Sequence, residues 1–171
     1  MFRISLRKLA LTATAAAAVL TGGLLAGSGT ANASGPHFRI APFSNEFLYL
    51  DVAGGSYDNG AGIIQWSLSG DNQVFTLQPS GSHFELVNRM SGKCVTTNGV
   101  AGAQLYQWDC SGAVNQLWDT SLTPGGTLYN IRSVYSGLYV DVSGGSVSQG
   151  AAIDTWYWND GNNQWFAAFG A

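Results

Sequence analysis

The chain has 171 residues, of which seven are basic and ten acidic. Arg3, Arg7 and Lys8 stand at the very start; beyond residue 33 only Arg39, Arg89, Lys93 and Arg132 face all ten acids, a net charge of −6. A surface that acidic, without a basic cluster, argues against nucleic acid and anionic membranes as partners, because both need neutralising Lys and Arg.

Residues 1–33 read as a secretory signal peptide. A basic start is followed by the uncharged Leu9 to Leu25 run and the small-residue site Ala31-Asn32-Ala33. The competing reading is an uncleaved membrane anchor. The run is short and broken by glycine, below the roughly 20 residues a spanning helix needs. No cysteine near the site offers a place for lipid. The expectation is an extracellular protein starting at Ser34, with one domain over residues 34–171.

That domain is written three times. Asp51 to Phe75 returns as Asp141 to Phe166, with a shortened copy from Thr96 to Trp118 between them. The heads Asp51, Thr96 and Asp141 lie 45 residues apart, and the tails read Asn72-Gln73-Val74-Phe75, Asn115-Gln116-Leu117-Trp118 and Asn163-Gln164-Trp165-Phe166. Such a period marks a repeat architecture. The units run over about residues 36–80, 81–124 and 125–171.

Each unit opens on a strand: His37 to Ile40, His83 to Arg89, Thr127 to Arg132. A turn leads to a second strand: Phe47 to Leu50, Cys94-Val95, Leu138 to Val140. Gly54-Gly55 and Gly144-Gly145 then allow tight turns with positive φ. A third strand ends on Trp66, Trp108 or Trp156. The fourth carries the Asn-Gln tail and its aromatic residue. Nothing shows helical periodicity over a useful length, and Pro79-Ser80-Gly81 and Pro124-Gly125-Gly126 punctuate the units. Twelve short strands in three units can close into a pseudo-threefold barrel, with Phe75, Trp118 and Phe166 plugging the core.

Cys94 and Cys110 are the two cysteines of the chain. In an exported protein such a pair reads as a disulfide, worth about 3 kcal/mol for a 16-residue loop; the alternative is a metal site, for which the distant His37 and His83 supply no convincing ligand set.

The recurring tails, the two Asp-Val-x-Gly-Gly-Ser heads and the phrase Leu86 to Cys94 resemble the ricin B-type lectin domain. That resemblance covers essentially all of residues 34–171 and implies an all-β fold, the β-trefoil. It places Cys94 and Cys110 at the family's intra-repeat disulfide. It also implies a shallow sugar site per repeat, in which the head aspartate accepts from sugar hydroxyls and the third-strand aromatic stacks on the ring. The tail asparagine adds a hydrogen bond and the glutamine supports the pocket. Repeat one then offers Asp51, Trp66, Asn72 and Gln73, and repeat three offers Asp141, Trp156, Asn163 and Gln164. Thr96 lacks the carboxylate, so a bidentate, charge-assisted contact is lost in repeat two.

The chain departs from the pattern two residues before the stacking aromatic, where a glutamine is common in the family. Here stand Ile64, Tyr106 and Asp154; Asp154 keeps an acceptor and joins the repeat-three set. Repeat one is one residue tighter between Trp66 and Asn72, which favours repeat three as the better site.

Plainer readings stand beside these. The aspartates could cap turns, the tryptophans could fill a core, and Tyr157-Trp158 could either widen a platform or pack where repeat two has its cysteines. His37 and His83, at equivalent strand positions, read as structural. No nucleophile elbow, phosphate loop or metal cluster is found, and Asp51 and Asp141 would stand on different lobes, too far apart to share a glycosidic bond, so neither catalysis nor a cofactor is expected. The expectation is a secreted carbohydrate-binding protein acting on a polysaccharide or glycoconjugate. The alternative is a trefoil that binds a separate secreted protein, such as an inhibitor of an exported hydrolase.

Overall fold

A computed structural model of the chain describes residues 35–122 and 128–171. The signal peptide, the start at Ser34 and the boundary between the second and third units lie outside the described residues.

Twelve strands are present among the described residues: β1 (His37–Pro42), β2 (Leu48–Val52), β3 (Ile63–Ser67), β4 (Phe75–Ser80), β5 (His83–Asn88), β6 (Cys94–Thr96), β7 (Tyr106–Trp108), β8 (Leu117–Leu122), β9 (Tyr129–Ser133), β10 (Tyr139–Val142), β11 (Ile153–Trp156) and β12 (Phe166–Gly170). Six of them pair in a closed antiparallel ring, β1–β4–β5–β8–β9–β12 and back to β1. The other six form three hairpins, β2–β3, β6–β7 and β10–β11. This is the β-trefoil, and ring closure leaves the barrel strands without a free edge.

Phe75, Trp118 and Phe166 are at most 1% exposed and plug the barrel. Ile63, Leu105 and Ile153 join them, each fully buried. Trp118 Nε1 donates to Val95 O at 3.1 Å, so the indole buries no unpaired donor. His37 and His83 bond from the barrel strands to Thr76 and Asp119, at 2.8 and 2.7 Å.

One expectation about local structure is corrected. The Asn-Gln pairs do not begin the fourth strands; they lie in single 3₁₀ turns, Asp71–Gln73, Val114–Gln116 and Asn162–Gln164. The glutamine side chain is the reason, since it folds back to satisfy the preceding turn. Gln73 Oε1 accepts from Ser69 N at 2.8 Å while its Nε2 donates to Ser67 O at 2.8 Å. Gln116 and Gln164 repeat the pattern on Ser111 and Asp109, and on Asn159 and Tyr157.

The cysteines form a disulfide with Cα atoms 5.0 Å apart. In repeat three the corresponding places hold Tyr139 and Trp158, whose rings meet at a 49° tilt with centroids 4.9 Å apart. Trp158 also meets Trp165 edge-on at 5.1 Å. Trp158 therefore packs where repeat two has its covalent bridge.

Candidate functional site

Each hairpin presents its head residue and its tryptophan on the same lobe. In repeat one, β2 ends at Asp51 and Val52, and a turn through Gly54 and Gly55 at φ 66° and 59° folds the chain back. An L side chain rarely adopts that conformation, so glycine is required at this bend. A groove of about 330 Å³ results, lined by Asp51, Gly54, Gly55, Ile64, Trp66, Ser69 and Asn72. Asp51 forms its floor at 3% exposure while Trp66 stands 38% exposed on its wall.

Gln73 Nε2 donates to Asp51 Oδ2 at 2.8 Å, and Ser69 Oγ donates to the same oxygen at 3.4 Å. These bonds orient the carboxylate. Burial nevertheless holds its pKa above the ordinary aspartate value, with Gln73, Asn72 and Ser69 offsetting part of the effect. Asn72 Nδ2 donates to Val52 O at 3.3 Å.

Repeat three has the same plan. Asn163 Nδ2 donates to Asp141 Oδ2 at 2.7 Å, and Trp156 is 43% exposed. Burial pushes Asp141 up to about 6, against the hydrogen bonds of Asn163 and Gln164 and with the help of the Asp154 charge. Burial also raises Asp154, which Ser143 partly offsets. Asp154 is paired directly opposite Asp141 on the hairpin, as Ile64 is opposite Asp51.

Repeat two lacks an open acceptor. The Thr96 hydroxyl donates to Cys94 O at 2.9 Å and accepts from Gln116 Nε2 at 3.1 Å, so its donor and one lone pair are used internally, and the residue is 2% exposed. Trp108 is still 47% exposed. Hence none of the three third-strand tryptophans belongs to the core. Gln73 and Gln164, placed among the binding residues by sequence reasoning, are fully buried. They hold the pocket from behind and offer a ligand no surface.

Sequence reasoning missed the seams between lobes. Gly150 of repeat three lies under Trp66, and Gly102 of repeat two lies under Trp156; a Cβ there would sit 3.4 and 3.0 Å from the indole. Gly60 and Trp108 share a groove at the remaining seam. The amides of Gly60, Gly102 and Gly150 donate to Gln107 O, Thr155 O and Gln65 O, each at 2.8 Å. Gln65 Nε2 reaches Ser146 O and Ser148 O, and Gln107 Nε2 reaches Ser56 O and Asp58 O. The Trp66 and Trp156 indoles are thus backed by another lobe, whereas a Cβ at Gly60 would meet nothing within 4 Å. A glycine nine residues after both aspartates is the signal that could have shown it.

The model of the ricin-type beta-trefoil lectin domain-like family matches residues 71–156 and 115–170. The chain belongs to this family. Among solved structures, the ricin-type trefoil described here is similar to the designed threefold symmetric protein ThreeFoil, at 30% identity over 79% of this chain and 99% of that one, with a TM-score of 0.74. It is similar to an exo-β-1,3-galactanase from Clostridium thermocellum at 27% identity and a TM-score of 0.74, covering 80% of this chain and 30% of the galactanase. It shares its fold with a ricin B-like lectin of Macrolepiota procera in complex with lactose, at 20% identity, over 81% of this chain and 97% of the lectin, with a TM-score of 0.70. No curated protein matches the sequence significantly. The ricin B-like lectin fold supports carbohydrate binding.

Proposed function

We propose that this chain is a secreted, non-catalytic carbohydrate-binding protein with shallow sites in repeats one and three. The observation that carries this reading is the groove in which the Asp51 carboxylate meets the exposed face of Trp66. A carboxylate takes up sugar hydroxyls, and an indole face covers the apolar side of a ring. Repeat three offers Asp141, Trp156 and Asn163 in the same arrangement. Asp51 and Asp141 belong to different hairpins, which gives no shared bond to cleave.

Galactose-containing glycans are the ligand class to try first. Lactose and N-acetylgalactosamine are bound by lectins of this fold, and a β-1,3-galactanase carries a similar domain. Each site should be weak alone, since a shallow wet groove returns little net free energy.

The test is titration of galactose-, mannose-, xylose- and glucose-type polymers. Asp51→Ala and Asp141→Ala should each weaken binding at their own lobe by about 2 kcal/mol, roughly thirtyfold. Unchanged binding in the double variant would falsify the reading. Export is checked by sequencing the N-terminus of the secreted protein, where Ser34 is expected first.

The second reading is a trefoil that binds another protein. Phe47, Leu68 and Tyr157 favour it, being 86, 63 and 66% exposed. Capture of a secreted hydrolase that free sugar does not displace would select it.

A further inference from the structure

Asp141 and Asp154 are directly opposite one another on the β10–β11 hairpin, and each is only 3% exposed. Side chains in that register have Cβ atoms about 5 Å apart, and like charges placed there repel. No ion pair among the described residues reaches either acid. Asp141 Oδ2 accepts from Asn163, but the buried Oδ1 of Asp154 has no hydrogen-bond partner. An orphaned carboxylate oxygen is costly. The fold does not require it, because the same place holds Ile64 opposite Asp51 and Tyr106 opposite Thr96. Ile64 lines the repeat-one groove. By the same register Asp154 lies beside Asp141, two residues from the exposed Trp156, and it is buried more deeply than Ile64.

We propose that repeat three selects a sugar bearing a free, protonated amine, and that Asp154 is the residue that reads it. This rests on the carbohydrate reading of the same lobe. An ammonium brings three donors and no acceptor. It answers two unneutralised carboxylates with charge-assisted hydrogen bonds, and it gains a further contact from the Trp156 face. A neutral hydroxyl can donate but leaves the paired charge in place. Calcium fits less well, since it takes six to eight oxygens. The one cluster of three potential metal ligands among the described residues is Glu85 with Cys94 and Cys110, whose sulfurs are joined in the disulfide. Repeat one, with Ile64 in this place, is left to neutral sugars.

The experiment uses the full chain carrying Asp51→Ala, so that repeat three alone reports. It is titrated near neutral pH with galactosamine, N-acetylgalactosamine and galactose. Galactosamine should bind about tenfold tighter than its N-acetylated form, a preference that shrinks as salt is added. Asp154→Asn and Asp154→Ile should each bring galactosamine down to the affinity of its N-acetylated form. Thermal melts identify which variant is folded, and either one suffices. Equal affinity for the free-amine and N-acetyl sugars overturns the proposal and spares the lectin reading, as does a preference that survives Asp154→Asn. Calcium binding that is lost in Asp154→Asn and not displaced by galactosamine also overturns it. If none of the three sugars binds, the carbohydrate reading of this lobe falls, and the amine proposal falls with it.

Discussion

Asp141 is a carboxylate whose site works against the fold. Its folded pKa is about 6, against 3.8 for an ordinary aspartate. Between those values the folded chain binds more protons than the unfolded one. The contribution of this group to stability is therefore fully present below about pH 3.8 and is lost as pH rises through 6. Asp51 and Asp154 are shifted in the same direction by burial. Asp141→Asn should raise the melting temperature at pH 7.5 and leave it nearly unchanged at pH 4. The gain should be about 1 kcal/mol once solvent screening is allowed for. Sugar affinity at repeat three should move oppositely, weakening as pH falls through 6 and Asp141 takes up a proton. Calorimetry of the Asp51→Ala chain across that range checks both signs. Gln73 gives the converse case. Gln73→Ala removes bonds to Ser67, Ser69 and Asp51 inside a buried turn, and should cost about 2 kcal/mol in a denaturation curve.

At the scale of elements, the three hairpins solve one problem with different chemistry. Repeat two ties β6 to the segment after β7 with a disulfide, and repeat three ties β10 to the segment after β11 with the Tyr139–Trp158 ring contact. Replacing both Cys94 and Cys110 by Ala should lower stability by about 3 kcal/mol. Sugar binding at repeats one and three should survive at temperatures where the variant is folded. The seam glycines act in the reverse sense. Gly102 sits at φ 80°, and a Cβ there would stand 3.0 Å from the Trp156 ring. Gly102→Ala should cost about 1 kcal/mol or more in backbone strain. It should also displace the Trp156 indole, so titration should show affinity lost at repeat three and retained at repeat one.

At the scale of the molecule, two sites on one rigid barrel should raise affinity for a polymer about a hundredfold over a single sugar unit. Binding to an immobilised glycan should fall to the monovalent level in either single aspartate variant. The threefold plan was legible in the sequence because heads, tryptophans and tails recur in register, and Phe75, Trp118 and Phe166 could be placed in the core for that reason. The turn preference of the Asn-Gln pairs was not legible, since it follows from a side chain bonding back to its own backbone. The seams were also hidden. They join residues far apart in the chain, such as Trp66 with Gly150 and Gln107 with Ser56, and no local pattern records them. The candidate site was half visible. The resemblance nominated Asp51, Asp141 and the tryptophans as candidates, while the burial of Asp154 and the internal bonding of Thr96 needed the packed neighbours.

The barrel is sealed where β1 runs against β12, from Phe38 beside Gly170 to Pro42 beside Phe166, and Ala171 N donates to His37 O. Head and foot of the domain therefore touch. A short linker could weld residues 37 and 171 together, and the chain could be reopened at the exposed hairpin tip around Gly81. Such a circularly permuted protein should regain the same three lobes and the same ligand grooves. The order in which the lobes are synthesised would then be a free parameter for engineering.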